Sequence, residues 1–495
     1  MEAIYKELMQ NFKARLIENE ERVSVKIALS KPLSKFLNAC GRVFVDDYSV
    51  NDKAVEVRGR VVSFAVYVDE NGKINSDENS EDFVISLNSS FENILAAYPT
   101  LEIVDEKVQS DANSVDVRYT IKAGGEVLVG ETARYLDDIT ETETQKQEAV
   151  ISSANCGISS RFELTEAVAL DGDVSGVFLT DANAYLEDIS VADGKANIKG
   201  VLSLGLTLIK DSEVLQKTVD VDFSQNIKNA AITGADQLSG EVKVGAVNLK
   251  IENEENLELE VSAEMQFAGT LIKAQQIAFA SDAIFETNEL RFNKNVAKST
   301  NRVGSRMSVD VDGNLSLGAD EPFAVKPLSV YGAKIKGAKL IANAEKTLLE
   351  GILTAQMVYE GEEDAKNSYF IEVPFSKSLK ISGIEPSRKY SVSCVPTDLS
   401  VKIRRGKEIF VDAKLFLDIT GEEEAETDIV NELVVGAPLP VDDSAINIHI
   451  IRAGETLWDV AKSMQIKTAD LLAQNPELAA ATPEGESVVF YRQIV

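Results

Sequence analysis

Three stretches of this chain alternate apolar and polar residues around a glycine, and this repetition constrains the fold more than any other feature of the sequence. The stretches are Val55–Tyr67, Ala196–Leu208 and Leu348–Tyr359. Aligned on Gly59, Gly200 and Gly351, they recur at spacings of 141 and 151 residues. Alternation with a period of two is typical of strands with one buried face, and self-similarity at a long period indicates repeated domains. Each stretch is followed by a polar turn and a second alternating stretch, so the pattern predicts a long β hairpin in each of three repeats.

A third and a fourth strand complete each predicted repeat. In chain order these strand pairs are 101–108 with 114–121, 241–251 with 257–267, and 390–403 with 408–419. Four or more antiparallel strands that alternate in polarity predict a small sheet or sandwich with one face buried. We therefore expect a mainly β protein with three tandem antiparallel β-rich repeat domains and a small C-terminal domain. The predicted bounds are 23–137, 160–292, 322–435 and 446–495.

The segments outside the repeats are predicted to be helices or linkers. Residues 1–22 form a predicted N-terminal helix, because apolar residues lie four apart in it with charged residues between them. These apolar residues are Ile4, Leu8, Phe12 and Leu16. We expect the helix to pack as a cap on the first repeat, with docking to a partner as the alternative. The polar gaps Asp138–Ser160 and Asn293–Glu321 are predicted linkers or capping helices.

The charge and the N-terminus of the sequence argue against several functional classes. A formal net charge of −31 argues against a nucleic-acid partner and against binding anionic lipid by charge alone, since both need a positive surface. Met1–Met9 has acidic residues where a signal peptide would be basic, and no run of about twenty apolar residues is present to span a membrane. Cys40, Cys156 and Cys394 lie far apart, which predicts reduced thiols. The sequence thus predicts a cytoplasmic protein with no direct membrane insertion.

Groups that could carry catalysis are scarce. His449 is the single histidine and lies in a predicted strand, where we expect a half-buried or edge position. No Cys/His cluster has metal-ligand spacing, no glycine-rich loop matches a phosphate-binding loop, and no GxSxG motif is present. Because the chain has 81 acidic residues, adjacent acids such as Asp46 and Asp47 give almost no signal for glycoside hydrolysis. We expect no enzyme activity, no catalytic residue, no metal and no cofactor.

The last fifty residues, 446–495, follow the order strand, helix, helix, strand. The first helix is predicted to start at Thr456, which forms a capping box with Asp459. The second helix ends at Asn475-Pro476, because a residue that precedes proline is disfavoured in a helix. Ser487–Tyr491 is the predicted closing strand.

This βααβ segment resembles a LysM domain. The residues that carry the resemblance are Gly454 to Ala461, Leu471-Leu472 and Asn475-Pro476. In LysM domains the turn at Gly454 and the segment between Asn475 and Gly485 wall a shallow groove that often binds N-acetylglucosamine chains. That segment is shorter here than is common. The candidate ligand- or partner-binding residues implied by the resemblance are Ala453, Gly454, Glu455, Thr456, Leu457, Trp458, Asn475, Pro476, Glu477 and Leu478. For Trp458, the single tryptophan, a stacking or protein-contact role and a place in the core are both open.

The order of the parts is similar to that of the spore-coat morphogenetic LysM proteins of clostridia, whose repeats are SPOCS (DUF3794-type) domains. The resemblance implies a non-enzymatic adaptor in the mother-cell cytoplasm, at the forespore surface. Its LysM domain would bind the coat basement-layer ATPase, and its repeats would recruit other spore coat proteins. One alternative is a cell-wall protein that binds peptidoglycan or N-acetylglucosamine polymers. A third interpretation is an acidic scaffold unrelated to spores.

Overall fold

The computed structural model describes residues 1–170, 174, 176–210, 213–253, 258–342, 346–381, 385, 388–440, 445–479 and 482–491. Residue 257, predicted to begin a strand, lies outside the described residues. Within the described residues the chain is mainly β and its sheets are antiparallel, as predicted. The pairing of the strands defines three units of similar plan, which we call unit 1 (3–139), unit 2 (143–284) and unit 3 (288–438).

The strands of the three units follow one another along the chain. Those of unit 1 are β1 (Ala3–Arg15), β2 (Asn19–Ala28), β3 (Leu33–Asn51), β4 (Ala54–Asp69), β5 (Ile74–Asn88), β6 (Ile94–Ser110) and β7 (Ser114–Ile139). Those of unit 2 are β8 (Glu143–Ala169), β9 (Gly176–Ala192), β10 (Lys195–Lys210), β11 (Glu213–Lys228), β12 (Gln237–Asn253) and β13 (Glu258–Ile284). Those of unit 3 are β14 (Asn288–Ser316), β15 (Ala324–Ala342), β16 (Thr347–Gly361), β17 (Lys366–Leu379), β18 (Lys389–Arg404) and β19 (Glu408–Pro438). A C-terminal module follows, with β20 (Ile446–Ile450), α1 (Leu457–Ser463), α2 (Thr468–Gln474) and β21 (Ser487–Tyr491).

Each unit contains two sheets that pack face to face. One sheet is a three-stranded meander, with the orders β3-β4-β5, β11-β10-β9 and β15-β16-β17. In the other sheet the last strand of the unit pairs with the preceding strand on one side and with the first strand on the other. In unit 1 the first strand is split, so that β1 and β2 both pair with β7. The core of unit 1 lies between its sheets, where fully buried residues such as Val57 and Val117 meet.

Three glycines occupy the same place in the three meanders. Each lies in the central strand opposite a phenylalanine of the next strand, and the pairs are Gly59 with Phe83, Gly200 with Phe223 and Gly351 with Phe375. On the other side of each glycine, the register of the first meander strand shifts by a β-bulge or a similar irregularity. Because glycine has no Cβ, the irregular strand and the ring can both approach the central strand closely. The predicted hairpins are therefore present, and the glycines mark equivalent points in them.

Residues 1–22 do not form the predicted helix. β1 pairs with the end of β7, from Ala3 opposite Ile139 to Arg15 opposite Glu126, and β2 begins at Asn19. A spacing of four residues equals two periods of a strand, so residues four apart share one face of a strand just as they do on a helix. The spacing alone could not separate the two structures. The segment forms a strand because it pairs with β7 along a long ladder of backbone hydrogen bonds.

The two segments predicted as linkers or capping helices are also strands. Residues 143–160 belong to β8 and residues 293–316 belong to β14, the long first strands of units 2 and 3. Their partners are β13 and β19. Units 2 and 3 thus begin earlier than the predicted bounds of 160 and 322. The polar composition was misleading because side chains such as Lys146 and Glu148 lie on the exposed face of the strand.

The units share a further core where the ends of their paired first and last strands converge. It contains Leu8, Tyr135, Leu136 and Ile139 from unit 1, Ile151, Ile277, Phe279, Ala280 and Ala283 from unit 2, and Ala297, Ile429 and Val430 from unit 3. All of these side chains are buried. Each unit therefore contributes apolar surface to the other two, and the units pack against one another.

A polar cluster lies where the first meander strands of the three units meet. The carboxylate of Asp181 in β9 accepts a hydrogen bond of 3.0 Å from the backbone N–H of Gly332 in β15. Burial raises the pKa of the Asp181 carboxyl to about 7, although Arg42, the N–H groups of Gly332 and Ala333, and Lys334 act to lower it. Since Arg42 belongs to unit 1 and Lys334 to unit 3, this one carboxyl group interacts with both neighbouring units.

Candidate functional site

The C-terminal module has the order strand, helix, helix, strand over residues 446–491. β20 pairs antiparallel with β21, so that Ile446 lies opposite Tyr491 and Ile450 opposite Ser487. No described helix is long and apolar enough to cross a membrane. The buried core of the module consists of Ile284, Ile451, Val460, Ala461, Met464, Ile466, Leu471, Leu478, Val488 and Phe490. Residues 480–481 and 492–495 of the predicted LysM domain lie outside the described residues.

α1 begins at the capping box predicted from the sequence. The Thr456 hydroxyl accepts a hydrogen bond from the Asp459 N–H at 3.3 Å, and the Asp459 carboxylate accepts from the Thr456 N–H at 2.8 Å. The hydroxyl and N–H of Thr456 together lower the pKa of the Asp459 carboxyl. A cap of this kind stabilises a helix by about 1 kcal/mol. It fixes Leu457 and Trp458 in the first turn of α1.

The turn before α1 is held by Glu455. Its carboxylate accepts a hydrogen bond from the Arg452 N–H at 2.8 Å and lies 2.8 Å from Nε2 of His449. These two contacts lower the pKa of the Glu455 carboxyl, and the backbone contact is the larger cause. Gly454 has φ +80°, a left-handed conformation that glycine adopts without strain. Ala453, Gly454 and Thr456 are exposed, and they form one of the two predicted walls of the groove.

Two of the four candidate residues in the second predicted wall belong to the interior of the module. Asn475 is buried and its side-chain amide donates to the carbonyl groups of Leu471 at 3.1 Å and Val489 at 2.9 Å. Leu478 is a core residue, whereas Pro476 and Glu477 are exposed. Of the candidate residues in this segment, only these last two are presented to solvent.

Trp458 faces the body of the protein. Its indole N–H donates to the carboxylate of Asp282, near the end of β13, at 2.9 Å. Lys462, one turn further along α1, places its ammonium group 2.5 Å from the same carboxylate. Leu457 and Trp458 are half-buried against the core of the module. The ten candidate residues therefore do not form one exposed face, because Asn475 and Leu478 are interior and Trp458 is engaged by unit 2.

A second surface of the module was not identified from the sequence. Ile446, Ile448 and Ile450 are 53%, 66% and 64% exposed on the outer face of the small sheet, and Tyr491 opposite Ile446 is 60% exposed. The polar residues between the isoleucines point inward instead, and His449 contacts Glu455 and Ser463 there. The alternation Ile-Asn-Ile-His-Ile is visible in the sequence. The rule that apolar residues face the core would, however, have predicted buried isoleucines and exposed polar residues, which is the opposite of what is found. Contiguous exposed apolar residues are characteristic of contact surfaces.

Side chains suited to other chemistry are dispersed. Among the described residues, no group of three or more His, Cys, Asp or Glu side chains is arranged to hold a metal ion. The three cysteines are free thiols, and burial raises the pKa of both Cys40 and Cys394 to about 11. Thiols of such high pKa are poor nucleophiles at neutral pH.

No curated protein and no solved structure matches this chain. A family model matches part of it, at residues 330–404, and the matching family is the SPOCS domain of SipL. The matched residues comprise most of β15 and all of β16, β17 and β18 in unit 3. This part of unit 3 is therefore similar to the SPOCS domain of SipL, which supports a SipL-like family and suggests a sporulation-related function.

Proposed function

We propose that this chain is a non-enzymatic adaptor in spore coat assembly. The match of residues 330–404 to the SPOCS domain of SipL is the observation that carries this proposal. The matched residues include Gly351 and Phe375, whose pairing recurs as Gly59 with Phe83 and Gly200 with Phe223. This recurrence supports three SPOCS-like units that recruit other spore coat proteins from the mother-cell cytoplasm.

The C-terminal module, as a LysM domain, binds the coat basement-layer ATPase in this proposal. The exposed isoleucines of β20 and the half-buried Trp458 supply apolar surface of the kind that anchors protein contacts. Sugar binding by LysM domains needs an open groove, but here Asn475 and Leu478 of its second wall are buried. These observations favour a protein over N-acetylglucosamine polymers as the ligand of the module.

The test is titration of the full chain with the purified coat basement-layer ATPase and, separately, with chitin oligomers. We expect ATPase binding that Ile448→Asp weakens roughly 5- to 150-fold, since the loss of an interface anchor typically costs about 1–3 kcal/mol. Val84→Asp is the matched control, because Val84 is 54% exposed on a sheet of unit 1, outside the module. Tight binding of chitin oligomers without ATPase binding would instead support a cell-wall role.

A further inference from the structure

Asp282 joins the C-terminal module to unit 2. Its carboxylate accepts hydrogen bonds from the indole N–H of Trp458 at 2.9 Å and from the ammonium group of Lys462 at 2.5 and 2.6 Å. Both donors lie on α1, one turn apart. Hydrogen bonds to a charged acceptor are about twice as strong as neutral ones. This carboxylate therefore fixes the face of α1 that carries the only tryptophan of the chain.

Glu143 makes a second contact with the module, beside the first. It begins β8 and lies opposite Ile284, which ends β13. Its carboxylate accepts hydrogen bonds from the backbone N–H of Thr468 at 2.7 Å and from the Thr468 hydroxyl. Ile284 is itself 5% exposed and belongs to the core of the module. The end of the β8–β13 ribbon thus holds α1 through Asp282, α2 through Glu143 and the module core through Ile284.

From this geometry we infer that the C-terminal module is docked on unit 2 in an autoinhibited state, which must open before Trp458 can contact a partner protein. The inference rests on the proposed function, in which Trp458, together with the exposed isoleucines of β20, contacts the coat ATPase. A partner that buries Trp458 competes directly with Asp282 for the indole N–H. The apparent affinity of the module is therefore its intrinsic affinity multiplied by the fraction of molecules that are undocked.

The contact is of a strength that a partner can overcome. Lys462 is 47% exposed and Asp282 22% exposed, so solvent and salt weaken their ion pair. Among the described residues of unit 2, Ile284 alone belongs to the buried core of the module, so the apolar part of the contact is small. Residues 439–445 connect β19 to β20, so the module remains tethered when it opens. A minor open state of about 1–10% gives an apparent affinity roughly 10- to 100-fold below that of the open module.

The test uses the full chain with the double substitution Asp282→Asn and Glu143→Gln. Trp458 is the single tryptophan, so its fluorescence reports on docking without a label. We expect the emission maximum to shift to longer wavelength and acrylamide quenching to increase, while the affinity for the coat basement-layer ATPase rises roughly 10-fold or more. Asp137→Asn is the matched control, because Asp137 lies near the end of β7 in unit 1 and pairs with Lys6 at 3.0 Å.

Each readout can fail separately. Unchanged emission and quenching in the double variant would overturn the docking contact itself. An exposed tryptophan with unchanged ATPase affinity would overturn the inference that docking controls binding. If neither the wild-type chain nor the double variant binds the ATPase, the proposed partner is wrong, and so is the inference that docking inhibits its binding. The fluorescence shift would still show whether the substitutions release the module from unit 2.

Discussion

The ring of Phe223 covers the Cα of Gly200 from the neighbouring strand. A Cβ atom placed on Gly200 would lie 2.7 Å from Cζ of Phe223 and 2.1 Å from the carbonyl oxygen of Tyr185. An aromatic ring that covers a glycine in this way restores the packing that the missing side chain would have supplied. The same pairing in units 1 and 3 makes the three glycines an internal series for testing how alike the units are.

We predict that alanine is tolerated unequally at the three glycines. Gly200→Ala should cost about 2–3 kcal/mol of unfolding free energy, since its Cβ meets backbone that cannot move aside. Gly351→Ala should cost less than about 1 kcal/mol, because its closest neighbour is the ring of Phe375 at 3.0 Å. Gly59→Ala should lie between them. Urea unfolding measures the order, with Gly304→Ala as the control, and a larger loss at Gly351 than at Gly200 would contradict it.

The half-buried Asp181 predicts a pH dependence with a definite sign. Burial raises the pKa of its carboxyl group to about 7 in the folded protein, from an ordinary value of 3.8, so the folded state binds the proton more tightly than the unfolded state does. The stability contributed by protonation is complete below about pH 4 and is lost as the pH rises towards 7. The free energy of unfolding of Asp181→Asn, relative to that of wild type, should therefore increase by on the order of 1–3 kcal/mol as the pH rises from 5 to 8.

Thermal unfolding of both proteins at the two pH values measures this gain. The exposed Asp412, whose carboxylate lies 3.5 Å from Lys402, provides the control Asp412→Asn, for which the gain should be smaller. If the unfolding free energies of the two variants increased equally relative to wild type, Asp181 would not be the source of the pH dependence.

Asn475→Ala should destabilise the C-terminal module and so abolish binding indirectly. The substitution removes the side-chain amide that donates to the carbonyl groups of Leu471 and Val489; the Leu471 carbonyl keeps the backbone N–H of residue 475 as a donor, whereas the half-buried Val489 carbonyl loses the amide. An unsatisfied buried polar group costs about 1–3 kcal/mol. Urea unfolding followed by Trp458 fluorescence should show the loss, whereas Glu477→Ala at an exposed neighbour should change stability by less than about 0.5 kcal/mol. A fully stable Asn475→Ala variant that fails to bind would return Asn475 to the set of contact residues.

Gly454→Val should strain the turn before α1. Gly454 has φ +80° and no atom within 4 Å of the position of a Cβ, so the cost comes from the backbone alone. That cost is roughly 1–2 kcal/mol, and it is higher for a β-branched side chain. Gly454→Asn is the control, because asparagine adopts this conformation more readily. Thermal unfolding monitored by Trp458 fluorescence compares the two, and equal stability would show that the turn does not need this conformation.

Local patterns predicted those elements whose signal is contained in a few consecutive residues. The hairpin strands around Gly59, Gly200 and Gly351 and the capping box at Thr456 and Asp459 are of this kind. Contacts between residues far apart in sequence could not be predicted, since nothing local encodes them. The N-terminal strand was mistaken for a helix because its partner is β7, at the other end of unit 1.

The candidate site shows the same division. The turn and both helices were placed correctly, but the burial of Asn475 and the engagement of Trp458 by Asp282 depend on elements that the sequence does not bring together. The outward isoleucines of β20 were missed for a related reason. Val488 and Phe490 of β21 fill the core of the module, and this leaves the isoleucine face outside.

The core shared by the three units has a consequence for assembly. Unit 1 alone would expose Leu8, Tyr135, Leu136 and Ile139 to water, on a surface shaped to receive the strand ends of two similar units. Proteins with one such unit per polypeptide commonly complete surfaces of this kind by symmetric association. Here one polypeptide supplies all three partners, so the stoichiometry is fixed covalently and does not depend on protein concentration. Dilution, which dissociates a trimer, should leave this arrangement intact.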